Sequence, residues 1–136
     1  MTDLILVRHG QTDGNSEQRW QGWTDSPLNE TGHRQAALVA RRLSEGRGRI
    51  LAVYSSPLMR AYQTARPIAE ALDLPIRLVE GLKELHFGAI EGLTTDEVEE
   101  QAPGLLERAT DRLDFDFTYP GGENRLEFLR RVADTM

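Results

Sequence analysis

The chain has 136 residues, enough for one domain with its own core and too few for two. It carries 22 acidic against 16 basic residues, a formal charge of −6, which disfavours nucleic acid or an anionic membrane as partner because both need a basic field. It has no cysteine, so disulfides and thiolate metal sites are excluded, and with no signal-like or membrane-spanning run the expectation is a cytoplasmic protein.

In chain order, "LILV" (4–7) reads as a buried strand that exits into a polar loop reaching residue 28. "NETGHRQAALVARRLSEG" predicts an amphipathic helix with Ala36, Ala37, Val39, Ala40 and Leu43 inward, capped at Asn29 or Thr31 and stopped at Gly46. "RILAVYSS" (49–56) is a second buried strand. "PLMRAYQTARPIAEALDL" is a helix with Pro57 near its first turn and a kink or restart expected at Pro67. "IRLVEGLKEL" is a third short strand leading into the loop "HFGAIEG", and "TTDEVEEQAPGLLERATDRL" is helical in two pieces split at Pro103 and Gly104. After the loop "DFDFTYPGGEN", where the doublet Gly121–Gly122 reads locally as a turn, a last helix puts Leu126, Leu129 and Val132 inward. This alternation predicts an α/β domain, one unit over 1–136, with a mostly parallel sheet.

In parallel sheets the functional site lies where the carboxyl ends of strands meet helices. Three clusters fall there: Arg8 and His9 after the first strand, Ser55 to Arg60 after the second, and Glu84 after the third. A cation and an imidazole at a strand exit call for an anion. A neutral, positioned histidine can attack phosphorus, while arginines hold the phosphoryl oxygens as forks. Leaving-group departure then needs a proton, for which Glu84 and Glu91 are candidates; Glu84 is nearer the strand end and is preferred. His33, within a helix, and His86, in a polar loop, are weaker candidates. The competing interpretation of each cluster taken singly is a local ion pair or a surface arginine. The chain has no GxxxxGK[ST] loop, no HExxH or CxxC spacing and no GxSxG elbow.

Five ordered blocks, "LVRHGQTDGN", "QGWTDSPLNETGHRQA", "YSSPLMRAYQTA", "LKELHFGAIEG" and "YPGGENRLEFLRR", resemble the histidine phosphatase superfamily in its phosphoglycerate mutase-like branch, over essentially the whole chain. The resemblance implies a three-layer α/β/α fold, with His9 as the phosphorylated nucleophile and Arg8 and Arg60 on the phosphoryl group. It implies Asn15, Gln21 and Gly22 as phosphate-contacting loop positions, Glu84 as proton donor, a small phosphate ester as substrate, and neither metal nor cofactor. The short spacing from Glu84 to Gly121 resembles the phosphatases; cofactor-dependent mutases carry a long insertion there, so phosphatase is expected before mutase. The resemblance also implies a second active-site histidine, in an apolar strand beyond the "PGGEN" block. The sequence stops at Met136, inside a helix, so a C-terminally incomplete chain is expected. In that case Leu4–Val7 leaves an open edge and an uncovered apolar face, which homo-oligomers can cover. A short variant that binds a phospholigand without turnover is the alternative.

Overall fold

The computed structural model describes residues 3–46, 49–111 and 114–136. Helix α1 (Asp13–Ser16) is a single turn closed by a capping box between Thr12 and Asn15. Helix α2 (Glu30–Ser44) starts on the Asn29 cap, whose side chain accepts the Gly32 N–H. Strand β1 (Val53–Ser55) leads through Leu58 into α3 (Met59–Leu72), and β2 (Ile76–Leu78) pairs parallel with β1, Val53 opposite Ile76 and Ser55 opposite Leu78. The remaining helices are α4 (Thr95–Gln101), α5 (Leu105–Thr110) and α6 (Arg125–Thr135). Helix α4 begins with a second capping box, Thr94 with Glu97, and α6 begins on Asn124.

The fold is α/β with a parallel sheet, as the alternation of elements predicts, but among the described residues the sheet has two strands rather than three. Leu4–Val7 forms no strand and lies exposed, at 67%, 55%, 79% and 41% of full accessibility. It is apolar chain with no ladder partner among the described residues, matching the uncovered apolar face expected from the sequence. The second strand is also shorter than its apolar run: Leu51 and Tyr54 are exposed, because only one face of the β1–β2 pair is covered. That covered face packs against α2 and α3 through Ala40, Val53, Ala65, Ile68 and Ala69.

Ala36 and Ala40 are buried on α2 as expected, whereas Ala37 is exposed, one step of about 100° off that stripe. Pro57 precedes α3 rather than entering its first turn. The helix runs through Pro67 without interruption. Its break was expected from the missing N–H, yet Ala65, Ile68 and Ala69 hold that stretch in the core on both sides of the proline. Pro103 and Gly104 do separate α4 from α5. On α6, Leu126 and Val132 are half-buried but Leu129 is 49% exposed. A second core, with Ile90, Val98, Ala109, Phe117 and Tyr119 buried, joins α4 and α5 to the loops at 85–93 and 117–119. No helix among the described residues is long and apolar enough to cross a membrane.

What brings the first segment against α2 and α3 is backbone contact. A Cβ on Gly32 would collide with the Gln11 backbone, and one on Gly10 would collide with the Gly32 carbonyl. The Gly10 N–H donates to Thr64 Oγ1 at 3.0 Å, on α3. Residues 9–11 are therefore clamped between the start of α2 and the middle of α3. Gly32→Ala should cost about 1–3 kcal/mol, as overpacking of close-packed sites does, read as a lowered urea midpoint at unchanged slope. An unaltered midpoint would show that the clamp yields freely.

Candidate active site

The clamp sets His9 beside the start of α3. Nδ1 of His9 lies 2.7 Å from the Gly10 carbonyl. A carbonyl can only accept, so Nδ1 carries the proton and Nε2 keeps its lone pair in the neutral ring. Burial, first, and then the charges of Arg60 and Arg8 push the His9 pKa below its usual 6.5, against the opposing Gly10 hydrogen bond and Glu84. The ring is thereby kept neutral and in one tautomer, the state a nucleophilic imidazole needs.

Arg60, in the first turns of α3, is only 2% exposed. It donates to the carbonyls of Gly22 at 2.7 Å and Thr24 at 2.9 Å, and no carboxylate is among its hydrogen-bond partners in the described residues. Burial lowers its pKa while the fields of Glu84, Asp25 and Glu91 oppose that; a guanidinium stays charged at neutral pH regardless. A buried cation held by carbonyls keeps most of its charge available for a ligand. Gly22 has φ +51°, and a Cβ there would collide with the Glu91 carboxylate, so the turn that presents its carbonyl to Arg60 requires glycine.

Asn15 and Gln21 turn their amide oxygens toward one group. Thr12 Oγ1, fully buried, lies 3.0 Å from Asn15 Oδ1 and 2.8 Å from Gln21 Oε1, and the Thr12 N–H donates to the same Asn15 oxygen. With the oxygens so used, the NH₂ ends are the groups left to meet an anion.

Arg8, His9, Asn15, Gln21, Gly22, Arg60 and Glu84 all line one cleft of about 270 Å³. These are the seven site positions expected from the sequence. The two candidate acids separate cleanly. Glu91 accepts from the N–H groups of Trp23, Thr24 and Phe87 and from the Thr24 hydroxyl, all at 2.8–3.0 Å, and so ties the 22–24 loop to the 87 loop. Glu84 accepts only the Leu85 N–H, at 2.9 Å, among the described residues, and faces the cleft. His33 is exposed on α2, and His86 stacks on Trp23 at 4.6 Å; neither lines the cleft.

The remaining lining residues, Gln18, Arg19, Trp20, Phe87 and Thr95, were not singled out from the sequence. Gln18 sits at φ +56°, a conformation that no glutamine announces. Arg19 is held by Glu17 at 2.7 Å and Glu97 at 3.0 Å, so its charge is balanced locally. Thr64 was also missed, although it lies one turn beyond Arg60 on the same helix face. A second cleft, of about 370 Å³, shares Arg8, His9 and Asn15 with the first and is lined also by Gly10, Gln35, Ala36, Val39 and Thr64.

A neutral imidazole between two arginines, amide donors and one carboxyl is an arrangement for phosphoryl chemistry. The model of the histidine phosphatase superfamily (branch 1) matches residues 4–136. The chain belongs to that superfamily. A bifunctional protein of Mycobacterium tuberculosis is 46% identical over 131 residues, 96% of this chain and 35% of that protein. A metal-independent phosphoserine phosphatase of Arabidopsis thaliana is 44% identical over 104 residues, 76% of this chain and 43% of that one. Among solved structures, a mycobacterial glucosyl-3-phosphoglycerate phosphatase in complex with VO3 superposes with a TM-score of 0.80 at 38% identity, covering 90% of this chain and 57% of that one. The chain thus spans about a third to somewhat over half of the length of these relatives.

The lowered His9 pKa has a sign. Between the folded value and 6.5 the unfolded chain binds the proton that the folded ring refuses, so stability rises with pH in that window and is level above it. His9→Gln should remove this part of the slope in urea unfolding measured against pH. A proton-carbon NMR titration of His9 should have its midpoint below 6.5; a midpoint at or above it would contradict the assignment.

Proposed function

We propose that the protein is a phosphatase that hydrolyses small phosphorylated metabolites through a phosphohistidine on His9, without a metal ion. The observation that carries this is the single cleft shared by His9, Arg8, Arg60 and Glu84. Family membership and the names of two similar proteins, a metal-independent phosphoserine phosphatase and a glucosyl-3-phosphoglycerate phosphatase, support it.

Nε2 of His9 attacks phosphorus in line with the leaving oxygen. The P–N bond forms as the P–O bond breaks, and the proton of a Glu84 carboxylic acid goes to the leaving alkoxide. Arg8 and Arg60, with the amide groups of Asn15 and Gln21, take up the charge on the phosphoryl oxygens, the role Mg²⁺ plays in other phosphoryl transfer. Water then attacks the phosphohistidine with Glu84, now a carboxylate, as base. The P–N bond breaks, phosphate leaves, and both residues return to their starting states. The Nδ1–H stays on the Gly10 carbonyl throughout, so the ring need not reorient. The same proposal places the protein in the cytoplasm, among small phosphate esters.

Brief incubation with an aryl phosphate at alkaline quench should add one phosphoryl group to the intact mass, absent in His9→Ala. Phosphorylation retained by that variant would overturn the nucleophile. Glu84→Gln should slow alkyl phosphates by about 100-fold or more and activated aryl phosphates far less, since general acid catalysis matters most for poor leaving groups. EDTA should leave the rate unchanged, and a loss restored by Mg²⁺ would refute the metal-free scheme.

A further inference from the structure

Arg131, on α6, lines neither cleft, yet its guanidinium bridges Glu123 and the stretch that carries Glu84. Its Nε and Nη2 donate to the two carboxylate oxygens of Glu123, each at 2.8 Å. Nη1 donates to the carbonyls of Gly81 at 2.8 Å and Lys83 at 3.0 Å, and Nη2 also reaches the Glu84 carbonyl at 3.4 Å. Five contacts match the five N–H groups that a guanidinium has. Glu123 in turn grips the other side of the loop: its N–H donates to the His86 carbonyl at 2.9 Å, and its carboxylate accepts the His86 N–H at 3.3 Å.

One of these bonds reaches the peptide plane between Glu84 and Leu85 itself, and the others hold the residues on either side of it. Its carbonyl accepts from Arg131 and, at 2.8 Å, from Trp23 Nε1. Its N–H donates back to Oε1 of the Glu84 side chain. Whatever fixes that plane therefore also aims the carboxyl, because one rigid unit bears both hydrogen bonds. A half-buried ion pair adds little stability over an apolar pair of the same size, so stability alone gives weak reason for a fork aimed at three loop carbonyls.

We propose that Glu123 and Arg131 are positioning residues for the Glu84 carboxyl: they hold the Glu84–Leu85 peptide plane and through it set the efficiency of leaving-group protonation. The inference rests on Glu84 being the acid proposed above. Arginine is required for it, since the three donors of a lysine cannot serve a bidentate carboxylate and three carbonyls at once.

The test uses Arg131→Lys and the near-isosteric Glu123→Gln, each checked for folding by circular dichroism, with Glu84→Gln as control. Two readouts are taken: single-turnover rates for an alkyl and a dinitrophenyl phosphate, and amide hydrogen exchange at Leu85. The alkyl ester should slow by about 10- to 100-fold and the dinitrophenyl ester by less than about three-fold, the range that slight misplacement of a catalytic group costs. Leu85 exchange should rise by about ten-fold as its local protection is lost. Equal slowing of both esters, or unchanged Leu85 exchange in both folded variants, would overturn the proposal. If Glu84→Gln itself shows no preference between the esters, it is the acid assignment that fails, and the catalytic part of this proposal with it; the exchange result stands apart from turnover.

Discussion

The buried guanidinium of Arg60 is the interaction on which the site depends. At 2% exposure it cannot be solvated by water, and its identified hydrogen-bond partners, the carbonyls of Gly22 and Thr24, leave the charge uncancelled. Those bonds draw the 20–25 loop over the start of α3, and the Met59 N–H to Asp25 contact at 2.6 Å closes the same junction. The loop in turn supplies Gln21 and Gly22 to the cleft wall. An anion in that cleft meets a cation whose desolvation was already part of folding, so binding it need not repeat that cost.

Around this cation the structure divides its acids by how many donors reach them. Glu91 is saturated by four, which makes it a strut between two loops. Glu123 is held below the usual carboxylate range, first by its bonds to Arg131, and so stays ionised as half of a fork. Glu84 is left with one backbone donor and a face to the cleft. A carboxylate whose oxygens are committed to several donors is tied in place, whereas one with a single donor keeps oxygen lone pairs open to the cleft. Three glutamates within a few residues of one another in space thus take three separate parts by hydrogen-bond count.

The apolar segment at 4–7 shows what a strand needs beyond apolar residues. Leu4, Ile5, Leu6 and Val7 have the composition of a central strand, and they lead directly into Arg8 and His9. Residues 9–11 are nonetheless held firmly, through Gly10 to Thr64 and through close contact with Gly32. The site residues are anchored by their carboxyl-terminal neighbours and by α2 and α3, while the run before them stays without a ladder among the described residues.

Much of the helical plan was legible in the sequence, because caps and periodicity are local. Asn29 opens α2, Pro103 with Gly104 parts α4 from α5, and Ala36 and Ala40 mark a buried stripe. The seven residues that share the cleft were also legible: Arg8, His9, Arg60 and Glu84 from their places after predicted strands or at a helix start, and Asn15, Gln21 and Gly22 from the resemblance of five ordered blocks to one family. What the sequence by itself determined was therefore which charged, imidazole and carboxyl side chains could meet at one cleft, and most of the helices around them. Only the tertiary structure decided that Glu91 is a strut and Glu84 is not, that Pro67 stays within α3, that Leu129 faces outward, and that Arg131 grips the loop of Glu84 from across the chain. Each of these depends on the partners that distant segments bring to one point, and partners of that kind leave no periodic or compositional mark in the segment they act on.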